Sequence, residues 1–255
     1  VLKITGFTQD RGACTRLRIW QPLKKIGRLG LADVATVECG DDPEERLKET
    51  DIVVFGRAAG DNVNRIVRKF KEWKVKIVFD LDDNFFEISP FSPHYQSLGV
   101  MPVNRENPDG SVDEIYVDGK RGFDVKKGRK IRGDMIDVIR AADMVTVSTE
   151  PLRKEYKRFN DNVVVVPNCL DFTIWDREPI ERTDDRIRIL YTGASNHVDD
   201  FLMVRDALRE IQKKYEKVWY TFVGTNWDIF GGGIDYSRAE IYEWLDYAAY
   251  PYWLK

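Results

Sequence analysis

The stretch Asp51-Ile52-Val53-Val54-Phe55, then Val63, Ile66, Val67, Phe70 and Trp73, then Val75-Lys76-Ile77-Val78-Phe79, decides the fold. A short run of β-branched and aromatic residues suits a strand covered on both faces. The apolar positions from 63 to 73 recur at intervals of three and four, so they share one face of a helix. The second β-branched run then returns to the sheet. A strand, a helix and a strand in this order form a crossover unit, which predicts an α/β fold around a parallel sheet.

The same alternation extends in both directions. Val1 to Phe7 reads as a strand, followed by a glycine-containing turn and a helix over Thr15 to Ile26 with Leu17, Trp20, Leu23 and Ile26 on one face. Downstream, Ile131 to Ala142 reads as a helix and Met144 to Val147 as a strand. Ser148 or Thr149 then caps a helix whose early Pro151 suits its first turn, and Val163 to Val166 closes the sheet. Between Phe85 and Lys130 the periodicity fails, and Pro90, Pro93, Pro102 and Pro108 interrupt the chain. This irregular insertion, about 85–130, is expected to carry a hairpin of Ile115 to Val117 and Phe123 to Val125 about Asp118-Gly119. The expected organisation is a Rossmann-like domain over 1–170, a linker over 171–185 and a second Rossmann-like domain over 186–255. The second holds strands at Arg186 to Tyr191 and Val218 to Val223, a helix carrying Phe201, Leu202, Val204, Leu208 and Ile211, and another helix around Arg238 to Tyr247. With about two strands it reads as incomplete, and together with the missing initiator Met this suggests a fragment.

Composition removes several classes of function. The chain has 255 residues, 43% hydrophobic and 33% charged, enough for a sizeable core. Forty Lys and Arg against 43 Asp and Glu give a net charge of -3, which argues against a nucleic-acid partner held by phosphate neutralisation. Apolar runs fall far short of the roughly 20 residues of a membrane helix, and no signal peptide opens the chain. The expectation is a cytoplasmic protein. Three widely spaced cysteines, Cys14, Cys39 and Cys169, fit neither a disulfide scaffold nor a zinc site. The dinucleotide fingerprint Gly-x-Gly-x-x-Gly is absent, which argues against an NAD-dependent enzyme.

Ala142-Asp143-Met144-Val145-Thr146-Val147-Ser148-Thr149-Glu150-Pro151-Leu152, followed by Asn162 to Val166 and Pro167-Asn168-Cys169-Leu170-Asp171, resembles the end of the first domain in GT-B glycosyltransferases of the group-1 or family-4 class. Arg188-Ile189-Leu190-Tyr191-Thr192-Gly193, His197, Asp200 and Val223-Gly224 look like the opening of that family's donor-binding domain. The matched motifs cover roughly residues 140 to 225. The resemblance implies a retaining transfer of a sugar from a nucleotide-sugar donor to an acceptor hydroxyl on a glycan, lipid or protein, with no metal needed for the chemistry. The family adds a basic pair and a glutamate-rich motif later in the donor domain, beyond the residues present here.

The residues offer a physical basis for parts of this expectation. Gly193-Ala194-Ser195 lies between a strand end and a helix start, where free N–H groups favour the diphosphate of the donor. His197 is expected to donate to the same phosphates, and Asn168 ends a strand on the donor side. Gly12 lets backbone approach a ligand closely. Arg16 and Arg18 belong to a basic segment over 11–28 that would meet an anionic acceptor or, peripherally, a membrane, unless it is simply a solvated helix face. His94 in the insertion is a further acceptor-binding candidate. Asp82 and Asp83, in Asp80-Leu81-Asp82-Asp83 at a strand end, are the catalytic candidates. Two alternatives stay open. One is a GT-A-like transferase holding Mn2+ or Mg2+ through Asp80 and Asp82; the other is a non-catalytic nucleotide- or carbohydrate-binding module.

Overall fold

The computed structural model describes the chain outside residues 9–11, 39–43, 91, 93, 107–109, 177, 179–180, 195–196, 225–232, 244, 246, 248 and 254–255. In chain order it runs β1 (Lys3–Thr8), α1 (Ala13–Thr15), a π-helical stretch (Arg16–Trp20), α2 (Gln21–Arg28), β2 (Asp33–Glu38), α3 (Glu44–Lys48), β3 (Ile52–Gly56), α4 (Asp61–Glu72) and β4 (Lys76–Leu81). It continues through α5 (Tyr95–Leu98), β5 (Val103–Glu106), β6 (Val112–Tyr116), α6 (Val125–Ala141), β7 (Met144–Val147), α7 (Glu150–Tyr156) and β8 (Val163–Val165). The remainder is α8 (Phe172–Trp175), β9 (Ile187–Thr192), α9 (Val198–Lys214), β10 (Val218–Val223), a 3-10 turn (Tyr236–Arg238), β11 (Ala239–Tyr242) and α10 (Tyr250–Trp253). Two units emerge, Val1–Glu87 with Gln96–Asp171, and Ile88–Tyr95 with Phe172–Lys255.

The first unit is a six-stranded parallel sheet in the order β2-β1-β3-β4-β7-β8. Val53, Phe55, Ile77, Phe79, Leu81, Val145 and Val147 are essentially inaccessible, as expected for strands covered on both faces. Val67 and Phe70 of α4 bury the stripe read from the sequence, and the Phe55 ring meets Phe70 at 6.1 Å and Phe79 at 5.1 Å. Of the two capping candidates it is Thr149 that accepts from the Leu152 N–H at the start of α7. The second unit is a three-stranded parallel sheet, β11-β10-β9, with α9 packed through Val198 and Phe201 against Tyr220 and Phe222. The α/β class is therefore as the alternation of periods requires, with a Rossmann-like sheet followed by the start of a second one.

Three local expectations are corrected. The antiparallel pair within residues 88–124 is β5 with β6, not 115–117 with 123–125. The Asp118-Gly119 turn instead leads into a helix: Asp118 Oδ1 accepts from the Val125 N–H at 2.8 Å, Gly119 N–H donates to Phe123 O, and Asp124 caps α6 by accepting from the Lys127 N–H. That cap starts α6 at Val125, six residues before the expected Ile131. The helix expected over Arg238 to Tyr247 is β11 at its start, because Tyr220 to Val223 of β10 supply a parallel partner for Ala239 to Tyr242. No helix among the described residues is long and apolar enough to cross a membrane.

Asp143 ties β4 to β7. Its carboxylate accepts from the Ile77 N–H at 2.9 Å and from the Lys71 and Lys76 ammonium groups at 3.0 Å each. Burial alone would raise this carboxyl, but the Ile77 N–H, Lys76 and Lys71 outweigh it and hold it down at about 2. A carboxyl lowered in the folded state stabilises above its unfolded value and loses that contribution as pH falls through its folded value. Asp143→Asn is expected to cost about 1 kcal/mol at pH 7, a figure discounted for partial exposure. Urea titrations should show the gap to the parent closing as pH falls from 3.8 towards 2. A gap that is constant with pH would contradict this account.

Candidate functional site

In the first sheet β2 lies on one side of β1 and every later strand on the other, so the chain switches direction between β1 and β3. Open α/β sheets bind ligands beyond the carboxyl ends of the strands at such a point. Register places the relevant residues there. Gly56 pairs with Asp80, and Asp80 with Thr146, so the ends of β3, β4 and β7 are level. A Cβ on Gly56 would stand 2.4 Å from the Asp80 carbonyl oxygen, which explains a glycine at this position.

One buried ion pair organises this edge. Arg18 and Asp80 are 8% and 4% exposed, and Arg18 grips the carboxylate with its Nε and Nη2, at 3.0 and 2.6 Å. Its Nη1 donates to the Val166 carbonyl and, at 3.0 Å, to Asn168 Oδ1. Thr146 donates to Asp80 Oδ1 at 2.5 Å. The π-helical stretch Arg16–Trp20 contains Arg18, and such local widening of a helix is frequent at functional sites. Burial pushes the Asp80 carboxyl up, while Arg18 and Thr146 pull against it.

Next to this pair stands a second cluster of charged groups. Arg57 follows Gly56 with φ of 54°, in the left-handed region that side chains avoid. Its Nε lies 3.8 Å from Asp82 Oδ1 and its Nη2 3.7 Å from Asp83 Oδ2, too far for hydrogen bonds, with the Phe85 ring 5.9 Å from the guanidinium. The Asp82 side chain is 9% exposed, and its Oδ1 has no hydrogen-bond partner. Thr8 Oγ1, at the end of β1, is likewise buried and without one. Native proteins leave few such atoms, and each asks for an explanation. The loop is fixed from below: Ser148 donates to Asp82 O, Tyr156 donates to Asp83 O at 2.6 Å, and the Phe85 N–H donates to Tyr156 Oη. The Cys14 thiol, half-buried beside Asp82, is pushed up to about 11 by burial and then by the Asp82 charge.

In the second unit the end of β9 is bare backbone. Gly193 N–H donates to Val223 O, and Gly224, with φ of +107°, sits so close that a Cβ there would stand 2.5 Å from Gly193 O. A Cβ on Gly193 would stand 3.2 Å from that of His197, the residue that precedes α9. His197 Nδ1 pairs with Asp200 Oδ2 at 2.8 Å, and the His197 N–H donates to Ala194 O.

The expected site residues therefore fall into groups. Gly12, Asp82 and Asp83 lie at the carboxyl edge of the first sheet, and Gly193, Ala194 and His197 lie together in the second unit. Ser195 is outside the described residues. Arg18 is neither solvated nor open to an acceptor, because Asp80, Val166 and Asn168 engage its donors; Asn168, expected on the donor side, is one of those partners. Arg16 is half-buried, and His94 is exposed in the 88–95 segment, where its N–H donates to Ser92 Oγ. Asp80, which the metal-dependent alternative needs, has both oxygens engaged, and among the described residues no group of three or more His, Cys, Asp or Glu is placed to hold a metal ion. Sequence reasoning pointed to the loop from Thr8 to Thr15 without singling out Thr8 or Cys14, and it did not single out Arg57. The signal was the strand order, since the switch rule points at the residues ending β1 and β3.

No family model and no curated protein matches this chain. Solved structures share its fold. The Anabaena protein Alr3699/HepE in complex with UDP-glucose aligns with a TM-score of 0.54 at 12% identity, over 96% of this chain and 70% of that one. The same Anabaena protein with UDP and glucose aligns with a TM-score of 0.52 at 11% identity, over 97% and 71%. These likenesses establish a shared fold.

The Asp82–Cys14 neighbourhood is directly testable. Two units of difference from an ordinary thiol mean about hundredfold less thiolate at a given pH below 9. Iodoacetamide at pH 8, followed by peptide mass mapping, should label exposed Cys169 far faster than Cys14. Asp82→Asn should speed Cys14 labelling, and an unchanged rate would show that Asp82 does not act on the thiol.

Proposed function

We propose that this chain belongs to a nucleotide-sugar-dependent glycosyltransferase of the two-Rossmann, metal-independent type. The observation that carries this reading is the bare backbone where Gly193 and Gly224 meet before the 17-residue helix α9. Without side chains there, a diphosphate can reach amide N–H groups at the positive end of the helix. The shared fold with a protein solved in complex with UDP-glucose supports the same direction.

In this reading Gly193, Ala194, Ser195 and His197 hold the donor diphosphate, and Asp200 orients the His197 ring. Charge developing on the departing diphosphate is stabilised by donors already in place, which is the larger part of the catalysis required. Asp82 and Asp83 receive the acceptor hydroxyl, with Gly12 beside them. The reaction breaks the bond from the anomeric carbon to the diphosphate oxygen and the O–H bond of the acceptor, forms a bond from that carbon to the acceptor oxygen with configuration retained, and passes the acceptor's proton to the departing diphosphate. Arg18 and Asp80 shape the acceptor side without touching substrate.

Calorimetry of the 255-residue chain with UDP, GDP and ADP and their sugars, with and without manganese, tests the donor assignment. Binding that needs no metal and falls at least tenfold in Gly193→Val is expected, because the valine side chain would occupy the space beside His197. Manganese-dependent binding that Gly193→Val leaves intact would overturn it.

A further inference from the structure

We propose that the insertion between β4 and α6 carries a ligand site of its own, which takes a pyranose ring bearing a carboxylate, that is, a uronic acid. The observation that carries this is a cavity of about 330 Å³ whose lining includes Gln96, Glu114, Tyr116, Lys120, Arg121 and Phe123. All of these residues belong to the first unit. Small-molecule pockets begin at roughly this volume and combine apolar walls with a few placed polar groups. The apolar wall here includes Tyr116 and the buried Phe123, which pack against each other with ring centroids 5.1 Å apart. The apolar face of a sugar ring suits such a wall. This site goes beyond the transferase reading and does not depend on it.

The polar groups name the rest of the ligand. Lys120 reaches Glu114 at 3.4 Å, whereas no carboxylate among the described residues lies within ion-pair reach of the Arg121 guanidinium. The lining therefore carries one positive charge more than its carboxylate offsets, and a guanidinium matches an incoming carboxylate with two parallel donors. Hydroxyls find acceptors in Glu114 and in Gln96, whose amide nitrogen donates to Arg121 O at 2.9 Å and whose carbonyl oxygen is left to accept. The loop also holds Arg121 in place. Lys120 N–H donates to Val117 O, Phe123 N–H to Lys120 O and Gly119 N–H to Phe123 O, each at 3.0 Å. Arg121 itself has φ of 51°, between Gly119 at 76° and Gly122 at 79°. A connecting turn with no other task would carry glycine or asparagine in that left-handed conformation. An arginine there costs stability, and what it supplies in return is a guanidinium at the cavity.

Saturation-transfer NMR titrations of the full chain test the site with the methyl glycosides of glucuronic, galacturonic and mannuronic acid. Three controls each lack one feature: methyl α-glucopyranoside the carboxylate, acetate the ring and benzoate the hydroxyls. At least one uronide should bind about tenfold more tightly than every control. Arg121→Gly should weaken that uronide about tenfold. It should also keep the thermal midpoint, because glycine adopts the left-handed conformation without strain, so that lost binding does not come from misfolding. Arg121→Lys keeps the charge without the fork and should fall between the parent and Arg121→Gly. Gly193→Val, in the other unit, should leave the uronide unaffected. No uronide bound, a control that binds as tightly as the best uronide, or uronide affinity indifferent to both Arg121 variants would overturn the site. Uronide binding lost in Gly193→Val would overturn it too, by placing the ligand at the second unit. Uronide binding that Arg121 controls, with no nucleotide bound, would uphold the site and sink only the donor reading.

Discussion

The buried pair of Arg18 and Asp80 is the interaction on which the first unit depends. One guanidinium joins the helical stretch after β1 to the end of β4 and, through Val166 and Asn168, to the chain leaving β8. Two ions this far from water are not a cheap source of stability. Their desolvation offsets much of their attraction, and the pair persists because every strong donor and acceptor is matched. Removing one partner would leave the other charged and unpaired at a cost of roughly 3–5 kcal/mol. The consequence is geometric: the helical stretch after β1 and the carboxyl ends of β4, β7 and β8 are held in one arrangement, which fixes where Asp82 starts.

Against that rigid background the neighbouring atoms are conspicuously incomplete. Asp80 is bonded at both oxygens, while Asp82, two residues later, has a buried oxygen with no hydrogen bond. Thr8 repeats the pattern at the end of β1. A fold selected only for stability would satisfy or remove these groups. Other buried atoms without a hydrogen bond lie elsewhere, at Trp20, Arg46 and Arg209, but these two stand at the carboxyl ends of β1 and β4, the side of an open α/β sheet on which ligands bind. In the second unit the corresponding strand end differs, since side chains are left out where Gly193 and Gly224 touch.

Local period accounts for what could be read before the structure. The crossover from β3 through α4 to β4 was legible because burial on both faces of a strand and one face of a helix leaves unmistakable spacings. The short β11 was not, since Ala239-Glu240-Ile241-Tyr242 carries no strand signal strong enough alone and becomes a strand by pairing with β10. Asp82 and Asp83 stood out as clustered carboxylates at a strand end. Arg18 looked like one more basic residue on a helix, because its meaning lies in a partner 62 positions away. Arg57 was silent for a similar reason: only the strand order identifies the residue after Gly56 as lying at the switch point.

Amide hydrogen exchange on Arg18→Lys tests this dependence most directly. Lysine keeps the charge but has three donors on one nitrogen and cannot reproduce the fork. Protection is predicted to fall together in residues 16–20, 78–86 and 163–168, with the strands at 187–192 and 218–223 unchanged. Loss confined to residues 16–20, with the ends of β4 and β8 as protected as in the parent, would contradict the claim that this one ion pair holds the edge of the sheet together.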